Sequence, residues 1–381
     1  MKMKNFSTEA GLECARGIAD WLYNIQSPHL ENNASAGSYP WMVGIDGIEY
    51  PANNWNVAFG SLGLMAAYDV FGDEKYKIAA LQMAGFNKSL QIFDPFKPEH
   101  YGAFREISPQ TPWCYTRDAL SVAWSFILLA GKTQDRELLE RSRLWGEWFF
   151  RQGLDEEGWP RWGLNFEAFF SGSKIHMYND ILGSFQGGGL NYLYQMYKIT
   201  GNTRWIGKEY VNIAEMLIKY IQQPDGLFQS VERQTKKPLE LDVQGNLHRA
   251  NDDFCSLGLL TAFKMTGNRT YLDAVKKFLR AVFERQQEDG SFDHFHASIP
   301  VVLNTVYEAE LLTDIPGIPD WAVDRALERL LSLQSDGQVN RRMAGGIIEE
   351  QDGNYVGARA SCYALMFLLK VSGGAKDYLA V

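Results

Sequence analysis

The feature of this 381-residue sequence that most constrains its fold is a helical hairpin plan that recurs along the chain. One copy begins with the polar segment 248–253, continues into a segment without a polar face, 254–265, and ends at Thr266-Gly267-Asn268. A helix that is apolar on all sides is expected to lie inside other helices rather than at a surface. The segment after the glycine places apolar and charged residues at helical spacing, which predicts an amphipathic helix packed outside the first.

The same plan predicts six hairpins. Inner helices are predicted after the polar segments 53–56, 113–118, 176–180 and 248–253 and at 300–312 and 357–372, and outer helices at 74–92, 134–152, 203–222, about 271–283 and 319–334. The last inner helix has no partner downstream, and the amphipathic segment 8–26 has none upstream. If these two segments pair, the chain closes into a ring, which predicts an all-α fold, an (α/α)6 toroid, as a single domain over residues 1–381.

An open α-solenoid is the alternative fold, but it would need polar capping repeats, and the segment 357–372 is too apolar for a cap. In the closed ring all inner helices begin at one face, so the polar segments before them are expected to surround one funnel. Gly187, Gly188 and Gly189 are expected to interrupt the third inner helix, because glycine in a helix costs about 1 kcal/mol relative to alanine. Such residues indicate a close backbone contact or a bend.

Composition and charge exclude several classes of function. The chain is 46% hydrophobic and 22% charged, which is typical of a globular protein with a large core. Its net charge is −9 and it has no cluster of Lys and Arg, so a nucleic-acid partner is not expected. No continuous apolar segment follows Lys2 and Lys4, so the sequence predicts a cytoplasmic protein without a membrane partner.

The four cysteines predict neither disulfides nor a zinc site. Cys14, Cys114, Cys255 and Cys362 are far apart and form no CxxC pair, so free buried thiols are expected. The segment His294-Phe295-His296 has no third metal ligand at a suitable spacing. We therefore predict no metal and no cofactor.

The polar segments before the inner helices combine acids with aromatic and cationic groups. The candidate catalytic acids are Asp118, Asp180, Asp252 and Asp253. The candidate substrate-binding residues are Trp113, Arg117, Trp159, Trp162, His176, Tyr178, Arg249, Asn251, His294 and Arg359. Aromatic faces can stack on sugar rings while carboxylates and amides bind hydroxyl groups, so the pattern predicts an oligosaccharide substrate. For any single Asp, N-capping of its helix is the simpler interpretation.

The joints Gly72-Asp73, Gly201-Asn202 and Gly267-Asn268, the Asp-Gly turns and the acids at inner-helix starts resemble the (α/α)6 sugar-active enzymes. The likeness is greatest to unsaturated glucuronyl and rhamnogalacturonyl hydrolases and related β-glucuronidases. It implies catalytic acids at the starts of adjacent inner helices, where Asp118 and Asp180 stand. It also implies a substrate-binding motif at 249–253, in which two acids replace the Gly-Trp pair of those enzymes.

The resemblance implies a glycoside hydrolase that acts on uronic-acid-containing oligosaccharides, saturated or unsaturated, by carboxylate acid–base catalysis. Arg117 beside Asp118 favours an ionised base or positioning group there, and the neighbours of Asp180 favour a desolvated general acid. One alternative is a sugar epimerase or uronate lyase that uses His176, His248, His296 or Tyr178 as a base. The second alternative is a non-catalytic glycan binder.

Overall fold

The structure is a computed structural model that describes residues 3, 6–28, 34–167, 176–177, 179–239 and 254–381. These ranges contain twelve α-helices. They are α1 Thr8–Ile25, α2 Asn54–Phe71, α3 Glu74–Ser89, α4 Thr116–Thr133, α5 Arg136–Trp148, α6 Gly188–Thr200, α7 Lys208–Met216, α8 Cys255–Thr266, α9 Arg269–Phe283, α10 Ser298–Glu310, α11 Asp320–Ser332 and α12 Ala358–Gly373. The order confirms the alternation of inner and outer helices that the sequence predicts.

The chain divides into two compact units, residues 1–88 with 282–380 and residues 89–281 with Val381. In the first unit, the inner helix α12 packs against α2 and α10, and α1 packs against α12 and α2. The first and last helices therefore pair, as the hairpin plan predicts. In the second unit, α6 packs against α4 and α8, and α5 packs against α4.

Burial separates the two kinds of helix. Residues 358–370 of α12 are all buried, which is possible only because the helix is surrounded by other helices. In contrast, α1 buries one stripe that includes Cys14, Ile18 and Leu22 and exposes the opposite face. Several hairpins turn at a glycine in the left-handed conformation, such as Gly72 after α2 and Gly267 after α8, a conformation that glycine adopts without strain.

Glutamine side chains in the turns after outer helices each donate to two backbone carbonyl groups of the same unit. The amide of Gln334 donates to Gly345 O (2.9 Å) and to Cys14 O in α1 (2.8 Å), and that of Gln91 donates to Gly102 O (3.0 Å) and Arg141 O in α5 (2.9 Å). Gln26, Gln222 and Gln286 make the corresponding pairs of bonds.

The turn after α5 departs from this arrangement. Leu154 stands at the glutamine position, and Asn212 in α7 donates instead to Glu157 O (2.8 Å). A surface pocket of about 380 Å³ lies at this turn, lined by residues that include Leu154 and Asn212.

Short strands lie in the segments that precede the inner helices α2, α4, α6, α8 and α12. The strands β1 Met42–Gly44, β2 Glu49–Tyr50 and β8 Tyr355–Gly357 form an antiparallel sheet in the order β2-β1-β8, and β3 Trp113–Tyr115, β4 Gly163–Asn165 and β5 His176–Met177 form one in the order β3-β4-β5. The strands β6 Ile181–Leu182 and β7 Val231–Glu232 pair with each other. The strand β3 continues directly into α4, and β8 continues directly into α12.

The third inner helix differs from the sequence-based expectation. Gly187, Gly188 and Gly189 do not interrupt it, because α6 begins at Gly188 after a 3-10 turn at Ser184–Gln186. Gly187 approaches the backbone of Cys255, since a Cβ atom added at Gly187 would lie 2.6 Å from the Cys255 Cα atom. Gly187 therefore serves a close backbone contact, one of the two reasons that the sequence suggests for such residues.

The four cysteines are buried free thiols, as the sequence predicts. Within the described ranges, no group of His, Cys, Asp and Glu is arranged to hold a metal ion. None of the helices in these ranges combines the length and the apolar character that crossing a membrane requires.

Candidate active site

The segment 106–118, which we call the α4 junction, places acids and aromatic rings at the start of α4. The strand β3 pairs with β4, and the Thr116 N–H donates to Trp162 O (3.0 Å), which fixes the first helical residue. Asp118 is then the third residue of the helix. The rings of Trp113 and Tyr115 meet edge to face with centroids 5.0 Å apart, and both side chains are partly exposed.

Asp118 lies between a cation and a second carboxyl group. Its Oδ1 atom is 3.2 Å from Arg117 Nη1, and the Asp118 side chain is 12% exposed. The Asp118 carboxyl group acts electrostatically on Glu106, which is itself only 2% exposed. The Glu106 Oε2 atom also accepts a hydrogen bond from the Tyr115 N–H (3.0 Å), which anchors this carboxyl group at the start of the helix.

Burial raises the pKa of Glu106 well above its usual range, and the Asp118 charge raises it further. The Tyr115 N–H and the Cys114 thiol act in the opposite direction. Two neighbouring buried carboxyl groups are costly to ionise together, since like charges in a poorly solvated site repel strongly. The α4 junction can therefore hold a proton at neutral pH.

N-capping does not account for Asp118. The N-cap of α4 is Tyr115, whose side chain makes no capping hydrogen bond, and the Tyr115 N–H is already satisfied by Glu106. The simpler interpretation of an acid at a helix start therefore does not apply to this residue.

A neutral histidine and an arginine lie near the α4 junction. The His100 ring meets the Phe166 ring edge to face with centroids 5.0 Å apart, and the Arg105 guanidinium lies 5.7 Å from the Phe166 centroid. Burial lowers the pKa of His100, so the imidazole is uncharged at neutral pH. Phe166 is joined to the strand region by the hydrogen bond from its N–H to Pro112 O (2.6 Å).

The segment 349–360, which we call the α12 junction, has a related arrangement in the other unit. Glu349 Oε1 accepts from Arg359 Nε (2.9 Å) and Glu349 Oε2 accepts from the Ala360 N–H (2.9 Å). The Arg359 guanidinium also lies 4.8 Å from the Phe295 ring centroid. Arg359, a predicted substrate-binding residue, is thus held in a buried ion pair. The prediction that it binds substrate is not tested by this contact.

Asp293 and His294 lie near the α12 junction. The Asp293 Oδ1 atom accepts from the Phe295 N–H (2.9 Å) and from Ser298 Oγ (3.1 Å). Burial raises the pKa of Asp293 to about 7, although Ser298 and Arg359 lower it. The predicted binding residue His294 is 36% exposed, with its Nε2 atom 3.8 Å from Glu350 Oε2.

The structure corrects the surroundings expected for Asp180. This residue does not begin an inner helix, since it lies in a turn before β6, and α6 begins only at Gly188. Asp180 is exposed, so the expected partial desolvation is absent. The sequence suggests a helix start because turn residues precede an apolar run, a pattern that a short strand also produces. Its catalytic role stays a prediction.

The predicted tryptophans have different environments. Trp159 has no exposed surface, so the expectation that its ring stacks on a sugar is wrong for this structure. Its backbone N–H donates to Asp155 Oδ1 within the turn after α5, and its indole lies in the core. Trp162 is partly exposed, and its ring meets Phe185 edge to face at 4.3 Å. The structure therefore brings Trp113, Trp162 and Asp118 together at the start of α4.

Several candidate residues lie outside the described residues: Tyr178, Arg249, Asn251, Asp252 and Asp253, together with His248. His176 is described only as a residue of β5 paired with Leu164. These assignments stay predictions.

Glu106 is the residue that the sequence-based choice of catalytic groups omits. It is one of several acids in loops, and nothing in a single loop sequence indicates that its side chain turns back to a helix start. The sequence contains one regularity that could have indicated Glu106. Glu106 stands 11 residues before Arg117, and Glu349 stands 10 residues before Arg359. In both places the arginine is the second residue of an inner helix.

The fold is that of the (α/α)6 toroid enzymes. An unsaturated glucuronyl hydrolase specific for heparin matches with a TM-score of 0.70 at 13% identity, over 98% of this chain and 100% of that chain. Cellobiose 2-epimerase from Bacillus thermoamylovorans B4167 matches with a TM-score of 0.67 at 13% identity, over 94% of this chain and 98% of that chain.

A family 76 glycoside hydrolase from a bovine Bacteroides thetaiotaomicron strain matches with a TM-score of 0.70 at 12% identity, over 95% of this chain and 77% of that chain. No family model and no curated protein matches the sequence. The comparisons confirm the all-α (α/α)6 fold class and the resemblance to the sugar-active enzymes of this fold. At these identities the likeness defines the fold alone.

Proposed function

We propose that the protein is a sugar-active enzyme, a glycoside hydrolase that acts on uronic-acid-containing oligosaccharides with the Asp118 carboxylate as its base. The observation that carries the proposal is the contact of Asp118 with Arg117 at the start of an inner helix, beside the buried carboxyl group of Glu106. Partly exposed aromatic rings lie at the same helix start, as a sugar site requires.

The proposed chemistry is general base catalysis. The Asp118 carboxylate takes a proton from water while the water oxygen bonds to the anomeric carbon, and the bond from that carbon to the glycosidic oxygen breaks. A second acid must protonate the leaving oxygen. Asp180 is the sequence-based candidate for this acid, and Asp252 and Asp253 are the alternatives.

A uronic acid is the proposed substrate class for two reasons. Arginine is suited to bind a carboxylate, and Arg117 stands beside the proposed base. One solved structure of the same fold is described as an unsaturated glucuronyl hydrolase specific for heparin. The family 76 mannanase and the epimerases have the same fold, so neutral sugars are the necessary comparison.

The test is an incubation of the protein with four substrates: a saturated aryl glucuronide, a 4,5-unsaturated uronyl disaccharide, α-1,6-mannotriose and cellobiose. We expect release of a free sugar from a uronide, with loss of the enol-ether absorbance if the unsaturated compound is the substrate. Interconversion of cellobiose with its 2-epimer would instead indicate an epimerase, and a gain of absorbance from a saturated polyuronide would indicate a lyase. Turnover of neutral sugars alone would contradict the uronide proposal.

A further inference from the structure

The turns that follow α1, α3, α7, α9 and α11, which we call the glutamine turns, touch the backbone of the next outer helix. Each contains a glycine with a positive φ angle. A Cβ atom added at Gly102 would lie 2.5 Å from Leu144 O in α5, and one added at Gly290 would lie 2.5 Å from Arg325 O in α11. The other glycines that make this contact are Gly37, Gly226 and Gly345. These turns and the helices beside them therefore leave no gap.

The turn after α5 stands off from α7. Gly158 has the same positive φ angle, but among the described residues a Cβ atom added there would meet only the Asn212 side chain, whose Nδ2 atom would be 2.7 Å away. No glutamine amide bridges the two elements, because Leu154 stands at that position. The pocket of about 380 Å³ lies in this gap, since Leu154, Gly158 and Asn212 all line it.

The rest of the pocket lining carries charges of both signs, and most of them compensate one another. The cationic side chains are Arg151, Arg161 and Lys208, and the acids are Asp155, Glu156, Glu157 and Glu209. Three of these acids have cationic partners in the protein, which are Arg233 for Asp155, Arg161 for Glu156 (3.0 Å) and Lys236 for Glu157 (3.0 Å). The pocket therefore has no excess charge that would select an ion.

Arg161 contributes a buried donor that the protein leaves unsatisfied. This residue is 8% exposed, and its Nη1 and Nη2 atoms donate to Asn179 Oδ1 and Glu156 Oε1, each over 3.0 Å. Its Nε atom is buried and has no hydrogen-bond partner among the described residues. A buried donor without an acceptor is costly, so an uncharged oxygen atom bound beside Arg161 would stabilise this side of the pocket.

We propose that the pocket between the turn after α5 and the start of α7 is a binding site for a neutral sugar. A hydroxyl group both donates and accepts, so a single sugar ring can bind carboxylates such as Glu209 and donors such as Lys208 without adding a charge. The volume is also in the range of small-molecule sites, about 300–1,000 Å³. The site shares no residue with the α4 junction, and the inference does not rest on the proposed function.

The test is hydrogen exchange of the wild-type backbone with methyl β-D-glucoside as the probe. A bound ligand stabilises the closed form of the segments that it contacts by mass action, so we expect exchange in 154–161 and 208–212 to slow at least about threefold as the probe is raised to about 100 mM. The turn 222–229 is the internal control. Its exchange should not change, because the Gln222 amide bridges Gly226 O and Ala274 O there.

Two variants test the location of the site. Leu154→Gln introduces the side chain of the glutamine turns, and Gly158 stands four residues later, as Gly226 does after Gln222. We expect this amide to occupy the pocket and to abolish the protection by the glucoside. Lys208→Met changes an exposed residue of the lining and should weaken binding at least about threefold, through the loss of one hydrogen bond from a charged group.

Three results would overturn the inference. Unchanged exchange in both segments of the wild type would show that the pocket binds no sugar, and protection that persists in both variants would place the sugar elsewhere. Protection by glucuronate, inorganic phosphate or glycine but not by the glucoside would show that the ligand is charged. Turnover of a uronide by Leu154→Gln should stay within about twofold of the wild type. If the glucoside protects and no uronide is turned over, the proposed function fails and the sugar site remains.

Discussion

The α4 junction and the α12 junction have a similar arrangement, and they differ in the third residue of the inner helix. In each, a short strand continues into an inner helix, the second helical residue is an arginine, and a glutamate from the preceding segment accepts a backbone N–H at the helix start. The third helical residue is Asp118 in the α4 junction and Ala360 in the α12 junction. The glutamate therefore meets an acid in one unit and an arginine in the other.

This difference indicates which junction is suited to chemistry. At the α12 junction, Arg359 and the Ala360 N–H satisfy Glu349, and a buried ion pair results. The helix start is thus completed without an acid at the third position. At the α4 junction, Arg117 pairs with Asp118, and the charge of Asp118 raises the pKa of the buried Glu106 beyond the effect of burial. The α12 junction shows that this fold can complete a helix start without an acid at the third position. Asp118 is therefore the better candidate for a functional residue.

The largest expected difference between the junctions is in stability. Glu349→Gln leaves Arg359 buried without its carboxylate, so we expect the free energy of unfolding to fall by about 3 kcal/mol. The pKa of Glu106 is raised well above its usual range by burial and by Asp118, which favours the neutral acid, so for Glu106→Gln we expect a change within about 0.5 kcal/mol. Chemical denaturation of both variants at neutral pH measures the difference. Equal losses would mean that the two glutamates have the same charge.

A smaller effect is expected in the pH dependence of stability near the α12 junction. The pKa of Asp293 is raised by burial to about 7, so its contribution is complete below its unfolded value near 4 and is lost as the pH rises towards 7. The pKa of His296 is lowered by burial to about 4, so its contribution is present above about 6.5 and is lost as the pH falls. Between about pH 4 and pH 6.5, Asp293 makes the free energy of unfolding fall as the pH rises, and His296 makes it increase.

Asp293→Asn removes the contribution of Asp293 to the pH dependence of stability. We expect the free energy of unfolding of this variant to rise with pH, relative to the wild type, by up to about 1 kcal/mol per pH unit between pH 4 and pH 6.5. His296→Gln is the control and should show the opposite slope. Parallel curves for Asp293→Asn and the wild type would show that Asp293 is ionised throughout this range.

The smallest expected effects concern two glutamine residues in turns near the two junctions, which make equivalent contacts. Gln91 and Gln334 each donate two hydrogen bonds, one of them to the backbone of an outer helix, α5 or α1. Gln91→Ala and Gln334→Ala should therefore each lower stability by about 1–2 kcal/mol, and by similar amounts. Thermal unfolding measures both. A much larger loss for one of them would mean that the junctions differ in their support as well as in their acids.

The fold is predicted well from the sequence because the residues that are buried recur at helical spacing. The apolar segment 357–372 could only be an inner helix, and the amphipathic segment 8–26 supplies its partner, as the pairing of α12 with α1 confirms. The site is predicted less well, since strands of two or three residues have too few positions to show alternation. The sequence therefore predicts a helix start at Asp180, which instead precedes β6.

Side-chain direction is the second obstacle. Asp118 is predicted from its place at a helix start, which is a local property. The position of Glu106 near Asp118 depends on a loop that folds back to the start of the helix. Hydrophobic periodicity predicts helices and strands, and it does not predict the path of such a loop. Trp159 is predicted from its residue type alone, and a tryptophan is as suited to a core as to a sugar site.

The central claim is that the Asp118 carboxylate performs the chemistry, and its most direct test is the turnover of the identified substrate by Asp118→Asn. This change keeps the shape of the side chain and removes the base, so we predict a cooperative fold with a turnover at least about 100-fold below the wild type. Asp336→Asn, which alters an acid that accepts the Gln338 N–H in a surface turn, is the matched control and should be fully active. Wild-type turnover by a folded Asp118→Asn protein would contradict the account.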